Sequence, residues 1–167
     1  MAKNYITQKE IDEICSVEMS EKDKKFHDII VSVYKSKTDF LLYTRDYKGI
    51  SFRFKYEIPE KNITSCIVIY FEENERWLMT TLLHEYAHHI QRYYFPSDEP
   101  VHSKTFYIIF HALLWMAVKK GICDNNPDSK FTMKEIFGGK RFINKVLKVL
   151  PKEFYDIVVE ISPEVAA

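Results

Sequence analysis

The first 37 residues carry their apolar side chains at helical spacing. Thr7 and Glu10 have the spacing of a capping box, and Ile11 and Ile14 follow. Ser20 is the candidate cap of a second helix, whose apolar face is Phe26, Ile29, Ile30 and Val33. Lys22, Lys24 and Lys25 then lie on its solvated face. The period changes after Thr38. Phe40 to Thr44 is rich in strand-forming residues, Arg45 to Gly49 reads as a turn, and Ile50 to Ile58 alternates apolar with polar positions. This pattern predicts an antiparallel hairpin. Cys66 to Phe71 predicts a short apolar strand with weaker alternation.

A helical pattern returns from Asn74 to about Phe95, with no internal glycine or proline. Pro96 to Pro100 is a loop. His102 or Ser103 opens a very apolar helix that runs to Lys119-Lys120 and stops at Gly121. Beyond a loop from Asp124 to Ser129, Thr132 and Glu135 suit a short capped helix, ended by Gly138-Gly139. Phe142 to Leu150 and a segment from Pro151 to Ile161 predict two more helices. The expected fold is α+β and a single domain over 1–167. It has a helical segment 1–37, a core 38–120 and a helical segment 121–167. The core is a small antiparallel sheet of about three strands, packed on a pair of helices.

Composition narrows the function. With 46% hydrophobic and 15% aromatic residues, 167 residues suffice for one packed core and not for a disordered chain. Four glycines and six prolines argue against a β-sandwich. Cys15, Cys66 and Cys123 form no close pair, which argues against a disulfide scaffold and a cysteine zinc ribbon. No apolar leader and no run of about 18 apolar residues occurs, so a cytoplasmic protein with no membrane partner is expected.

The charge balance of 24 basic against 24 acidic residues argues against a generic polyanion binder. It is a sum of unlike parts. Residues 119–152 hold 9 Lys and Arg against 3 Asp and Glu, a local net of +6. Lys140, Arg141, Lys145, Lys148 and Lys152 are therefore candidate nucleic-acid contacts. The plainer alternative is a solvated face of an amphipathic helix.

Five of the six histidines fall between His84 and His111. His84-Glu85-Tyr86-Ala87-His88 matches HExxH on a predicted helix. Residues four apart differ by about 40° in rotation and roughly 6 Å along the axis, so both imidazoles can hold one tetrahedral Zn²⁺. Glu85, about 100° round from His84, sits beside the metal as a candidate general base toward water. The plainer alternative is a helix with two ordinary histidines. His102, across a loop at the start of the next helix, is the candidate third ligand. Asp98 and Glu99 are weaker carboxylate candidates. His111 lies about 180° further round the second helix, and His89 points away from the pair. Met79, Leu82, Leu83, Tyr86, Ile90 and Tyr93 on the motif helix read as core, as do Phe106, Ile109, Leu113 and Met116 on the next. Tyr86, Tyr94 and Tyr107 are candidates for stabilising an oxyanion.

From Cys66 to about Met116 the chain resembles the SprT-like metallopeptidases, the group that includes Spartan. The shared parts are an apolar strand (Ile67–Phe71), the helix with Leu82-Leu83-His84-Glu85-Tyr86-Ala87-His88, and Val101-His102-Ser103-Lys104-Thr105-Phe106. The resemblance covers about fifty residues and implies that His84, His88 and His102 hold zinc while Glu85 is the catalytic base. It also implies that the strand before the helix receives an extended peptide by strand addition. Ser103 stands where SprT-like proteins commonly have glycine, which is closer to YgjP and WLM-type peptidases. The expected activity is zinc-dependent hydrolysis of peptide bonds in protein substrates, DNA-associated proteins among them. Two rivals are a zinc-binding regulator akin to ImmA/IrrE proteins, which usually take a downstream glutamate as third ligand, a role for which Glu135 is too distant to be compelling, and a DNA-binding accessory protein using residues 119–152.

Overall fold

A computed structural model describes residues 8–46, 53–58, 63–71, 75–97, 100–123 and 139–165. Their contacts divide the chain into two compact units, Met1–His89 and Ile90–Ala167. The fold is α+β. The elements are α1 (Gln8–Cys15), α2 (Glu21–Val33), β1 (Phe40–Asp46), β2 (Arg53–Ile58), β3 (Ile63–Phe71), α3 (Glu75–Tyr94), α4 (Lys104–Lys119), α5 (Lys140–Val149) and α6 (Lys152–Ile161). A short 3₁₀ turn, Pro163–Val165, follows. The expected capping role of Thr7 and the short helix around Thr132 and Glu135 lie outside the described residues.

In the first unit the strands form one sheet in the order β1-β3-β2. β1 runs parallel to β3, with Phe40 opposite Ser65 and Thr44 opposite Ile69. β2 is antiparallel to β3, with Arg53 opposite Ile69. This corrects the expected hairpin and the expected all-antiparallel sheet, because β3 lies between β1 and β2. The physical reason is burial. Ser65 to Ile69 are all buried, Cys66 to Ile69 completely, and a strand covered on both faces belongs at the centre of a sheet. The weak alternation of Cys66 to Phe71 was the trace of that position.

Each sheet face has its own cover. On one, Tyr43, Cys66 and Val68 pack with Cys15, Ile14 and Met19. Cys15 and Cys66 form a disulfide across 51 residues. This corrects the reading of three separate thiols, since a separation that long leaves no local spacing signature. In the chain-entropy picture such a crosslink contributes about 4 kcal/mol.

On the other face, Ser20 caps α2 in a reciprocal box with Asp23. The buried Asp23 carboxylate also accepts from Thr44 N and Thr44 Oγ1, both at 2.8 Å. One side chain thus closes the start of α2 and fastens it to β1. Burial raises the Asp23 pKa, and the hydrogen bonds from Thr44 and Ser20 outweigh it, leaving the group below its ordinary value.

In the second unit Ser103 caps α4 by accepting from Phe106 N at 3.2 Å. Gly121, with φ of 72°, ends it in the left-handed region that favours glycine. Phe106, Ile109, Leu113 and Met116 are buried as their spacing predicts. In α5, Ile143, Val146 and Leu147 face inward, and Asn144 Nδ2 donates to Val165 O at 2.9 Å, tying down the terminal turn. Among the described residues, no helix is long and apolar enough to cross a membrane.

Two outcomes are expected. Asp23→Ala lowers unfolding free energy by about 2–3 kcal/mol in urea titrations at neutral pH, because Thr44 N is left buried without its acceptor. The wild-type contribution is full above the unfolded carboxyl value and fades as pH falls through the lower folded one, so the variant loses less on acidification below about pH 4. The second outcome concerns the cysteines. Denatured without reductant, the chain shows one titratable thiol, Cys123, and after reduction three.

Candidate metal centre

α3 presents two functional stripes. His84 and His88 lie within about 40° of each other on one side of the helix. Their ring centroids are 5.0 Å apart, edge to face. Tyr86 and His89 lie on the opposite side, roughly 140–200° round from His84. They pack with Phe40 of β1, whose ring centroid is 5.1 Å from Tyr86 and 5.2 Å from His89. Leu82 and Leu83 are fully buried, whereas Tyr93, expected in the core, is 46% exposed.

His84 Nδ1 is 3.0 Å from Glu85 Oε1. A carboxylate only accepts, so Nδ1 carries the proton and the lone pair falls to Nε2. That is the arrangement in which a carboxylate orients an imidazole toward a metal. Glu85 is buried, and its Oε2 makes no hydrogen bond among the described residues. His88 is also buried. His102 occupies the turn just before the Ser103 cap of α4 and is exposed, its ring 5.0 Å from Phe106 and 6.5 Å from Tyr107.

One donor atom from each of His84, His88 and His102 lies within 4.8 Å of the others. Nitrogens bound to one tetrahedral zinc sit about 3.3 Å apart, so side-chain adjustment of an ångström or so completes the set. Three neutral imidazoles suit Zn²⁺ and leave a fourth position open. The residues present therefore fit the ion.

Other candidates are placed elsewhere. His89 is buried and hydrogen-bonded to Ser65 Oγ at 2.6 Å. His111 stands beside Tyr107 and Phe110. Asp98, Glu99 and Glu135 lie outside the described residues. Tyr86 is committed to the fold: its hydroxyl donates to Tyr34 O at 2.5 Å and accepts from Ser36 N at 2.9 Å. Burial pushes its phenol above the ordinary value, so it keeps the donated proton. Lys140, Arg141, Lys145 and Lys148 are exposed on α5 and have no ion pair among the described residues. Arg141, Lys145 and Lys148, at i, i+4 and i+7, share one stripe.

Gln91 was not singled out by motif reading. It lies on the His84–His88 stripe, seven residues after His84, and is buried. Its Nε2 approaches Ser103 Oγ at 3.4 Å, next to His102. The i+7 spacing was the available signal, but HExxH stops short of it.

Neither a protein-family model, nor a curated protein, nor a solved structure matches the chain.

Calorimetric titration of metal-stripped protein is expected to show one zinc per chain. His88→Ala and His102→Ala each weaken binding by about 100-fold or more, while His111→Ala leaves it within about threefold.

Proposed function

We propose that the chain is a zinc-dependent peptidase acting on protein substrates. The observation that carries this reading is the trio of histidine nitrogens within 4.8 Å, with Glu85 beside His84. The resemblance of residues 66–116 to SprT-like metallopeptidases supports it. His84, His88 and His102 would hold the ion. When bound, zinc supplies Lewis-acid polarisation of a carbonyl and makes a water more acidic.

The remaining chemistry belongs to Glu85. Its carboxylate takes the proton of the attacking water and delivers it to the leaving amine. Burial limits competing solvent around it. Tyr86 is excluded as oxyanion donor because both roles of its hydroxyl are occupied, which leaves Tyr94 and Tyr107. The expectation that β3 receives an extended peptide is corrected, because both its edges are already paired. Strand addition would require an outer strand, β1 or β2.

A second reading rests on α5. Arg141, Lys145 and Lys148 suit a phosphate backbone and would bring nucleic-acid-associated proteins to the site.

The test is incubation of zinc-loaded wild type and Glu85→Ala with a denatured protein, with and without single-stranded DNA. Wild type cleaves it, and Glu85→Ala retains zinc but loses about 100-fold or more of the rate. Zinc binding without cleavage by wild type would instead favour a regulatory protein of the ImmA/IrrE kind.

A further inference from the structure

The geometry points to His89 as a positioning residue for the metal centre, a role that rests on the zinc reading above. Its ring is 2% exposed and engaged at both ends. Nε2 is 3.1 Å from Thr38 O, 3.2 Å from Ser36 Oγ and 3.3 Å from Thr38 Oγ1. Nδ1 is 2.6 Å from Ser65 Oγ. The Thr38 carbonyl can only accept, so Nε2 carries the proton. Nδ1 then accepts, and the Ser65 hydroxyl donates to it. A single imidazole thus joins α3 to the central strand β3 and to the connection between α2 and β1.

The direction of these bonds matters as much as their number. His89 follows His88 in sequence and projects about 100° away from it. Tyr86, three residues before, stacks on the His89 ring at 5.9 Å and fastens to the same connection through Tyr34 O and Ser36 N. Apolar contacts tolerate a helix rolling slightly about its axis. Two opposed hydrogen bonds on one ring do not, because a roll lengthens one of them. Ligand nitrogens lie roughly 6 Å from the helix axis, so a 20° roll moves them about 2 Å, a full zinc–nitrogen bond length. His89 therefore sets the rotation at which His84 and His88 are aimed.

A histidine that only filled the core would affect stability without selecting for metal. The experiment compares zinc affinity and unfolding free energy for wild type, His89→Phe, His89→Gln and Val33→Ala. Val33 is buried in α2 and serves as the stability control. His89→Phe keeps an aromatic ring against Phe40 and Tyr86 but loses the polar anchors. It is expected to bind zinc about 10–100-fold more weakly, beyond the loss in Val33→Ala, while His89→Gln recovers most of the affinity. The glutamine amide retains one donor and one acceptor.

Wild-type affinity in a folded His89→Phe, or a loss no greater than in the control, overturns the role. So does a His89→Gln variant no better than His89→Phe. If His89→Phe does not fold, Ser65→Ala replaces it, with weakened zinc binding supporting the role and unchanged binding overturning it. Failure of the zinc reading appears separately, as wild type that binds no zinc, and removes the positioning role with it.

Discussion

The rotation of α3 about its own axis is the constraint on which the rest depends. At about 100° per residue, a helix that points His84 and His88 one way must point Tyr86 and His89 the other. The chain places polar groups on both sides of this helix. Those on the inner side are fully engaged: Tyr86 with Tyr34 and Ser36, His89 with Ser65 and Thr38. Such polar anchors are directional where leucine packing is not, so burying them sets an angle as well as a depth. The outer side carries the imidazoles of His84 and His88.

The same economy governs the sheet beneath. β3 brings Ser65 to His89 on one face and Cys66 to Cys15 on the other. β1 alternates likewise, with Phe40 and Thr44 toward the α2 and α3 side and Tyr43 toward α1. Every residue from Ser65 to Ile69 is buried, which is why the strand is central and shows no solvated face. Asp23 extends the arrangement to α2 by reaching Thr44. Asp23, His89 and Tyr86 thus carry directional bonds between the elements of this unit.

Much of this was legible in the sequence because it is local. HExxH at helical spacing, the Ser20 cap, a helix start at His102 or Ser103, and the Gly121 stop each involve a few neighbouring residues. The errors share a different character. The alternation of Ile50 to Ile58 marks a strand but does not say which strand lies beside it, so β3 entering between β1 and β2 could not be read. Cys15 and Cys66 meet across 51 residues, beyond any spacing rule. His89 reads from its position as turned away from the ligand pair, and its partners Ser36, Thr38 and Ser65 are residues no motif marks. Gln91 shares the ligand stripe without belonging to a motif.

The central claim is that three histidines, two on α3 and one before α4, share one ion. X-ray absorption at the zinc edge, on protein loaded with one equivalent, tests it most directly. The account predicts scattering from three imidazoles and no sulfur, falling to two imidazoles in His102→Ala. A sulfur ligand, or a wild-type spectrum unchanged by His102→Ala, would contradict it.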